Sequence, residues 1–379
     1  MFFYILFQAV LLTAALAATI SVLSKRKTKF SLLLFLLLLY CVTPVYSNIV
    51  STAVKDVPFC AFIIGYVICF ALFCETPGLL KNKKFMFLFI VLQIGVILLR
   101  NNGLYVVLLS GIGCFIFMFP KFNLKQRIFC FFTSFAMSVF VSQIILLILV
   151  QVFSASAGGK GEMLSLPFQQ TARYLQLYKE EISDRERIAI KNILGDVDTV
   201  AASYNPDLAD PVKALLKDDV SRSELFRYMT AWFTGLTKHP TVYAQAFLAH
   251  VYGWFTPTVS NSIRYETTYD VIQQGGLFPH AEKFLIFYYR FANRFKLLGT
   301  LENIGFAVWM LFFLTFFQKR RKLAFGFCSG LPLWISLLIC MASPCFFNHP
   351  RYAFPILFSL PFLYGFTLSH AHIDPQGGA

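Results

Sequence analysis

The sequence predicts an all-α, polytopic integral membrane protein of about nine transmembrane helices with one helical extracytoplasmic domain. Three observations carry that prediction. Of 379 residues, 57% are hydrophobic and only 14% charged, against about 25% charged in a soluble domain, so lipid is the solvent for most of the chain. Apolar runs of membrane-crossing length recur on both sides of one polar block. The Lys and Arg residues between those runs alternate between rich and poor loops, as the positive-inside rule requires.

A span across about 30 Å of hydrocarbon needs roughly 20 residues. Runs near 1–23, 30–47, 57–75, 85–99, 103–120, 128–153, 301–318, 323–342 and 352–370 therefore predict six helices in 1–153, a domain at 154–300, and three helices with a short tail in 301–379. The loops around Lys25 to Lys29, Lys81 to Lys84, Lys121 to Arg127 and Lys319 to Lys322 hold 14 basic residues, and the other short loops only Lys55, Arg100 and Arg351. This places the amino terminus and residues 154–300 outside and the carboxyl terminus in the cytoplasm. The first run has no basic residue before it and four just after, the reverse of a secretory leader. It predicts an anchor, and its start inside an apolar stretch leaves room for sequence upstream of Met1.

The domain begins after the flexible Ser154 to Gly161 linker. Ser183 with Glu186 and Ser221 with Glu224 are capping boxes, and Asp210 before Pro211 predicts a capping Asp with Pro in the first turn. Helices are expected near 166–180, 184–194, 211–217, 222–236, 240–252 and 280–296. Tyr228, Trp232, Phe233, Tyr243, Tyr252 and Trp254 predict either a membrane-surface segment or an aromatic core.

The net charge of +14 does not make a nucleic-acid protein, because 15 of the 19 acidic residues lie in 154–300 beside 16 basic ones, and the surplus sits in short loops. The nine cysteines form no C-x-x-C pair and behave as small hydrophobes. His239, His250 and His280 have no metal-ligand spacing. No motif supports a metal or cofactor.

Polar residues in an apolar chain carry the functional signal, since a charge at bilayer centre costs about 2.5–3.5 kcal/mol on insertion scales. Four clusters stand out, all outside by the predicted topology. Lys55 and Asp56 open the third run, where the carboxylate can act as a base, bind a cation, cap a helix or pair with an arginine. Arg100, Asn101, Asn102 and Gly103 split two runs with almost no loop, the glycine supplying a turn's positive φ and Arg100 a phosphate clamp or a hairpin cap. Gln169, Gln170, Arg173 and Tyr174 fall on one edge of a helix, either reading hydroxyls or forming a solvated face. His349, Arg351 and Tyr352 lead into the last run, with Arg351 a phosphate candidate or a snorkelling side chain.

Together, Lys55-Asp56, Arg100-Asn-Asn-Gly103, Leu166-Pro-Phe-Gln-Gln-Thr-Ala-Arg-Tyr174 and Ser343-Pro to Arg351-Tyr352 resemble a family of uncharacterised bacterial membrane proteins that looks like the superfamily C glycosyltransferases (GT-C). The resemblance implies a plasma-membrane enzyme that moves a sugar from a polyprenyl-phosphate carrier to a cell-envelope acceptor at the outer face. It implies Asp56 as the catalytic carboxylate and the remaining cluster residues as binding groups for the lipid-linked sugar, with a divalent cation left open. Such enzymes carry their catalytic acid in the first outer loop after the first span, where this chain has none; by the resemblance the chain begins part-way into the family pattern, and Asp56 lies in its first outer loop after Met1. The alternative is a non-catalytic or transport protein that binds the same lipid-linked saccharide.

Overall fold

The computed structural model describes residues 1–117, 123–153, 161, 163–257, 279–323, 325–342 and 350–373. The described residues are α-helical apart from short turns, 3-10 segments and one π segment. The amino-terminal part comprises α1 (Phe2–Lys25), α2 (Phe30–Val42), α3 (Pro44–Ser51), α4 (Asp56–Glu75), α5 (Lys83–Leu99), α6 (Asn101–Phe117), α7 (Leu124–Cys130) and α8 (Met137–Phe153). The middle comprises α9 (Ser165–Tyr178), α10 (Asp184–Leu194), α11 (Val197–Ala202), α12 (Asp210–Lys213), α13 (Arg222–Lys238) and α14 (Pro240–Phe255). The rest holds α15 (Pro279–Arg294), α16 (Lys296–Leu301), α17 (Ile304–Arg320), α18 (Gly326–Ser329), α19 (Leu331–Ala342) and α20 (Phe354–Ile373). The chain divides into two compact units, Met1–Ala155 with Pro257–Leu337 and Ala353–Ala379, and Ser156–Thr256 with Leu338–Tyr352.

Four stretches among the described residues are long and apolar enough to cross a membrane: Phe2–Lys25, Asp56–Glu75, Leu124–Phe153 and Arg351–His370. A fifth is added if α2 and α3, bent by 41° at Thr43, count as one broken span. This corrects the expected count of about nine. Several apolar runs fold into helices shorter than the hydrocarbon needs: α6 has 17 residues and α19 only 12, so α6 reaches about 25 Å at 1.5 Å per residue. The run at 323–342 is further divided, with the four-residue α18 preceding α19.

Helix α4 is the centre of the first unit. It packs against α1, α5 and α20 and is buried nearly all round, whereas α1 and Leu124–Phe153 are mostly exposed, as suits helices facing acyl chains. Small residues set the α4–α5 approach: a Cβ on Gly95 would lie 2.2 Å from the Phe62 ring and one on Gly65 2.8 Å from Leu92, the close contact that small residues permit between apolar helices. The six-residue π segment Phe131–Ala136 joins α7 to α8, and the Ser138 and Ser142 hydroxyls donate to the carbonyls four residues back.

The second unit has a core of Phe168, Tyr174, Leu175, Ile193, Tyr228 and Tyr243 around α9. Both expected capping boxes form, at Ser183 and Ser221. The expected Asp210 cap does not: Ala209 is the cap position, and Asp210 instead pairs with Lys213 at 2.7 Å. Of the aromatics between 226 and 255, Tyr228, Tyr243 and Trp254 are buried, while Phe226 and Phe233 are exposed. Helices α15, near the helix expected at 280–296, and α16 cluster with the first unit.

Candidate functional site

One polar cluster of the first unit lies where α4 begins. Thr52 to Lys55 form a short link out of α3, and Asp56 is the first residue of α4, where the positive end of the helix dipole favours a carboxylate. Arg100 is the single extended residue between α5 and α6, with φ −145° and ψ 136°. Its Nη1 lies 3.1 Å from Asp56 Oδ1, with both side chains more than 90% buried. The guanidinium carbon sits 5.5 Å above the Phe59 ring. Of the roles open to Asp56, pairing with an arginine is formed, with Arg100 of the link between α5 and α6 as the partner.

The turn after Arg100 differs from expectation. Gly103 lies within α6 and not at positive φ. Its missing side chain serves proximity: a Cβ there would stand 2.0 Å from the Val96 carbonyl oxygen. Asn101 is exposed and Asn102 half-buried in the first turn of α6, and Lys55 is exposed beside Asp56.

Two buried side chains that sequence reasoning passed over hold the segment leading to Asp56. Gln8 of α1 is fully buried and donates through Nε2 to the carbonyls of Val50 and Thr52, both at 2.7 Å. Glu302, 1% exposed, accepts from the Val45 amide at 2.8 Å. At the same break in α2–α3, the Tyr288 hydroxyl donates to the Val42 carbonyl. Burial, reinforced by the Glu302 charge, pushes the Tyr288 phenol up to about 12, so it remains a donor at neutral pH. An amide and a carbonyl that lose their helical partners at Pro44 are thus both satisfied by side chains. The signal for Glu302 was present: it is one of only four acidic residues outside 154–300.

A second ion-pair cluster lies at the other end of α4. Arg26 grips both oxygens of Glu75 at 2.7 and 2.6 Å, His370 of α20 contacts the same carboxylate, and the Arg26 guanidinium stacks 4.4 Å from the Phe366 ring centroid.

Gln169, Gln170, Arg173 and Tyr174 come together on α9 in the second unit, but their edge faces the core. Gln169 donates to the carbonyls of Asn205 and Leu208 at 2.8 and 3.0 Å. Gln170 donates to the Tyr243 carbonyl and accepts from Trp232 Nε1, both at 3.1 Å. Both amides are buried and bound to groups of their own unit, so of the two alternatives at these residues the solvated face is not formed by Gln169 and Gln170. Tyr174 is buried, and burial with the nearby Glu186 and Glu181 charges pushes its phenol up to about 12. Arg173 is half-buried, donates to Gln176 Oε1 at 2.6 Å and stacks on Tyr204.

Arg351, exposed, and Tyr352, half-buried, lie in the 3-10 turn Pro350–Ala353. His349 lies outside the described residues. Among the described residues no group of three His, Cys, Asp or Glu side chains is placed to hold a metal ion.

A family model described as a family of unknown function, DUF6020, matches residues 1–375. No curated protein and no solved structure matches the chain.

Proposed function

We propose that this chain, which belongs to the DUF6020 family, is a membrane glycosyltransferase that moves a sugar from a polyprenyl-phosphate donor to a cell-envelope acceptor on the outer face of the membrane. The observation that carries this reading is the buried Asp56–Arg100 pair at the head of an apolar 20-residue helix, with Lys55 exposed beside it. Such a helix is about 30 Å long, so its ends stand at headgroup level, where the phosphate of a lipid carrier lies. A guanidinium there is suited to grip phosphate.

In this reading, donor phosphate draws Arg100 away from Asp56 and joins it to Lys55. Asp56 then takes the proton of the acceptor hydroxyl, whose oxygen attacks the anomeric carbon. The bond from that carbon to the phosphate oxygen breaks, and the polyprenyl phosphate leaves with the electron pair, its charge met by Arg100 and Lys55. Asn101 and Asn102 supply amides for sugar hydroxyls.

The test is transfer of label from polyprenyl-phosphate sugars by the purified protein. Asp56→Asn is expected to lower turnover by about 10²–10⁴-fold, with donor binding retained, and Arg100→Ala to weaken donor binding. Absence of donor binding, or full activity in Asp56→Asn, would overturn the reading.

The broken helix α2–α3 favours a second reading, a transporter of a lipid-linked saccharide, because interrupted helices with side-chain-satisfied breaks line transporter sites. Label that crosses a vesicle bilayer unchanged, with no glycosylated product, selects it.

A further inference from the structure

Helix α15 presents an apolar face that is exposed among the described residues of its unit. Phe284, Phe287 and Phe291 fall at i, i+3 and i+7, and Phe295 just past its end continues the same register, making one stripe about 80° wide. Their exposures are 65%, 68%, 49% and 44%, and the Phe291 and Phe295 rings stack at 5.4 Å. Lys283, Arg290 and Arg294, at i, i+7 and i+11, form a second row directly beside the first, and all three are exposed. Ala292 is buried and the Tyr288 hydroxyl is bound to the Val42 carbonyl. Around the helix, the protein-facing side, the phenylalanine stripe and the basic row therefore follow one another in that order.

We propose that α15 is an interfacial helix that sets its phenylalanines among the acyl chains and binds anionic phospholipid headgroups through Lys283, Arg290 and Arg294. Two features select this occupant. Tyr288 fastens α15 to α2, whose Leu34, Phe35, Leu38 and Val42 are themselves exposed, so the stripe continues a surface that a multi-pass protein leaves to acyl chains. The basic row flanks the stripe at the position of the phosphates when an amphipathic helix lies along a bilayer. Basic side chains at such a surface add roughly fivefold each to affinity for anionic lipid. Lipid binding here is independent of sugar transfer at Asp56.

The full-length Phe287→Trp protein tests it in phosphatidylcholine nanodiscs carrying a small fraction of acyl-brominated phosphatidylglycerol or, separately, of brominated phosphatidylcholine. Quenching of the native tryptophans is measured on the parent and subtracted. The introduced indole should be quenched at least twofold more by the anionic bromolipid, a threshold below the roughly fivefold that one basic contact supplies. Lys283→Gln/Arg290→Gln/Arg294→Gln should make the two lipids equal, and Arg290→Gln alone should fall between, each at unchanged elution volume. Equal quenching by both lipids before any charge is removed would overturn anionic recognition. Quenching by iodide instead of bromolipid, or cross-linking of position 287 to a second copy, would overturn the bilayer contact.

Discussion

Of the four acidic residues outside 154–300, Asp374 lies outside the described residues and the other three are each bound, Asp56 to Arg100 and Glu302 to the Val45 amide in the interior, and half-buried Glu75 to Arg26 and His370. Low dielectric makes an unpartnered charge at such positions costly, so Arg100→Met alone should destabilise the protein by about 3–5 kcal/mol, and Asp56→Leu with Arg100→Met should recover most of that loss. Thermal unfolding in detergent of the two singles and the double measures it; a double variant as unstable as the sum of the singles would remove the pairing argument. A comparable carboxylate in the second unit is Glu186. Burial alone raises its pKa, but hydrogen bonds from Lys238 at 2.6 Å and from Ser183 outweigh burial and hold it below its ordinary 4.5. Because the folded value is depressed, this stabilisation is present above about 4.5 and is lost as pH falls through the folded value. Glu186→Gln should speed hydrogen exchange in α10 and α13 at pH 7, with the difference from wild type shrinking as the pH falls below about 4.5.

At the scale of elements, the second unit was largely legible because its start signals are local: Ser183 with Glu186 and Ser221 with Glu224 fix two helices at the expected residues. The first unit was less so, since apolar composition marks a run but not its breaks. Nothing in Leu99-Arg-Asn-Asn-Gly103 alone says that one extended residue suffices to interrupt the helix, or that Gly103 is required by the Val96 carbonyl and not by φ. The orientation of Gln169 and Gln170 was equally hidden, because the carbonyls they bind, at 205, 208 and 243, are distant in sequence. Glycine substitutions separate the two kinds of crowding. Gly103→Ala meets backbone at 2.0 Å and should cost about 1–3 kcal/mol, whereas Gly65→Ala meets the end of a flexible Leu92 side chain at 2.8 Å and should cost less. Equal melting temperatures for the two variants would show that the α5–α6 break yields as readily as a side chain.

At the scale of the first unit, α4 is tied at both ends by a carboxylate–arginine pair, and those ties bear on how the spans are arranged. Arg26, Glu75 and His370 meet, so the loop after α1, the end of α4 and the end of α20 share one face. Gln8 bound to Val50 and Thr52 puts the start of α1 with the start of α4, where Arg100 also lies. The face holding Arg26 also holds Lys25, Lys27 and Lys29, and the loop that leaves Glu75 carries Lys81, Lys83 and Lys84. Among the described residues, the links next to Asp56 are poorer in basic residues, with Lys55 before α4 and Arg100 between α5 and α6. By the positive-inside rule that asymmetry predicts an external Asp56 face, the side on which the proposed acceptor site depends. Lys55→Cys and Lys83→Cys, both at exposed positions, test it in a background with the native cysteines replaced by serine. A membrane-impermeant maleimide applied to intact cells should label position 55 directly and position 83 only after permeabilisation. The reverse order would place Asp56 and Arg100 on the cytoplasmic side, and an outer-face transferase would then have no site.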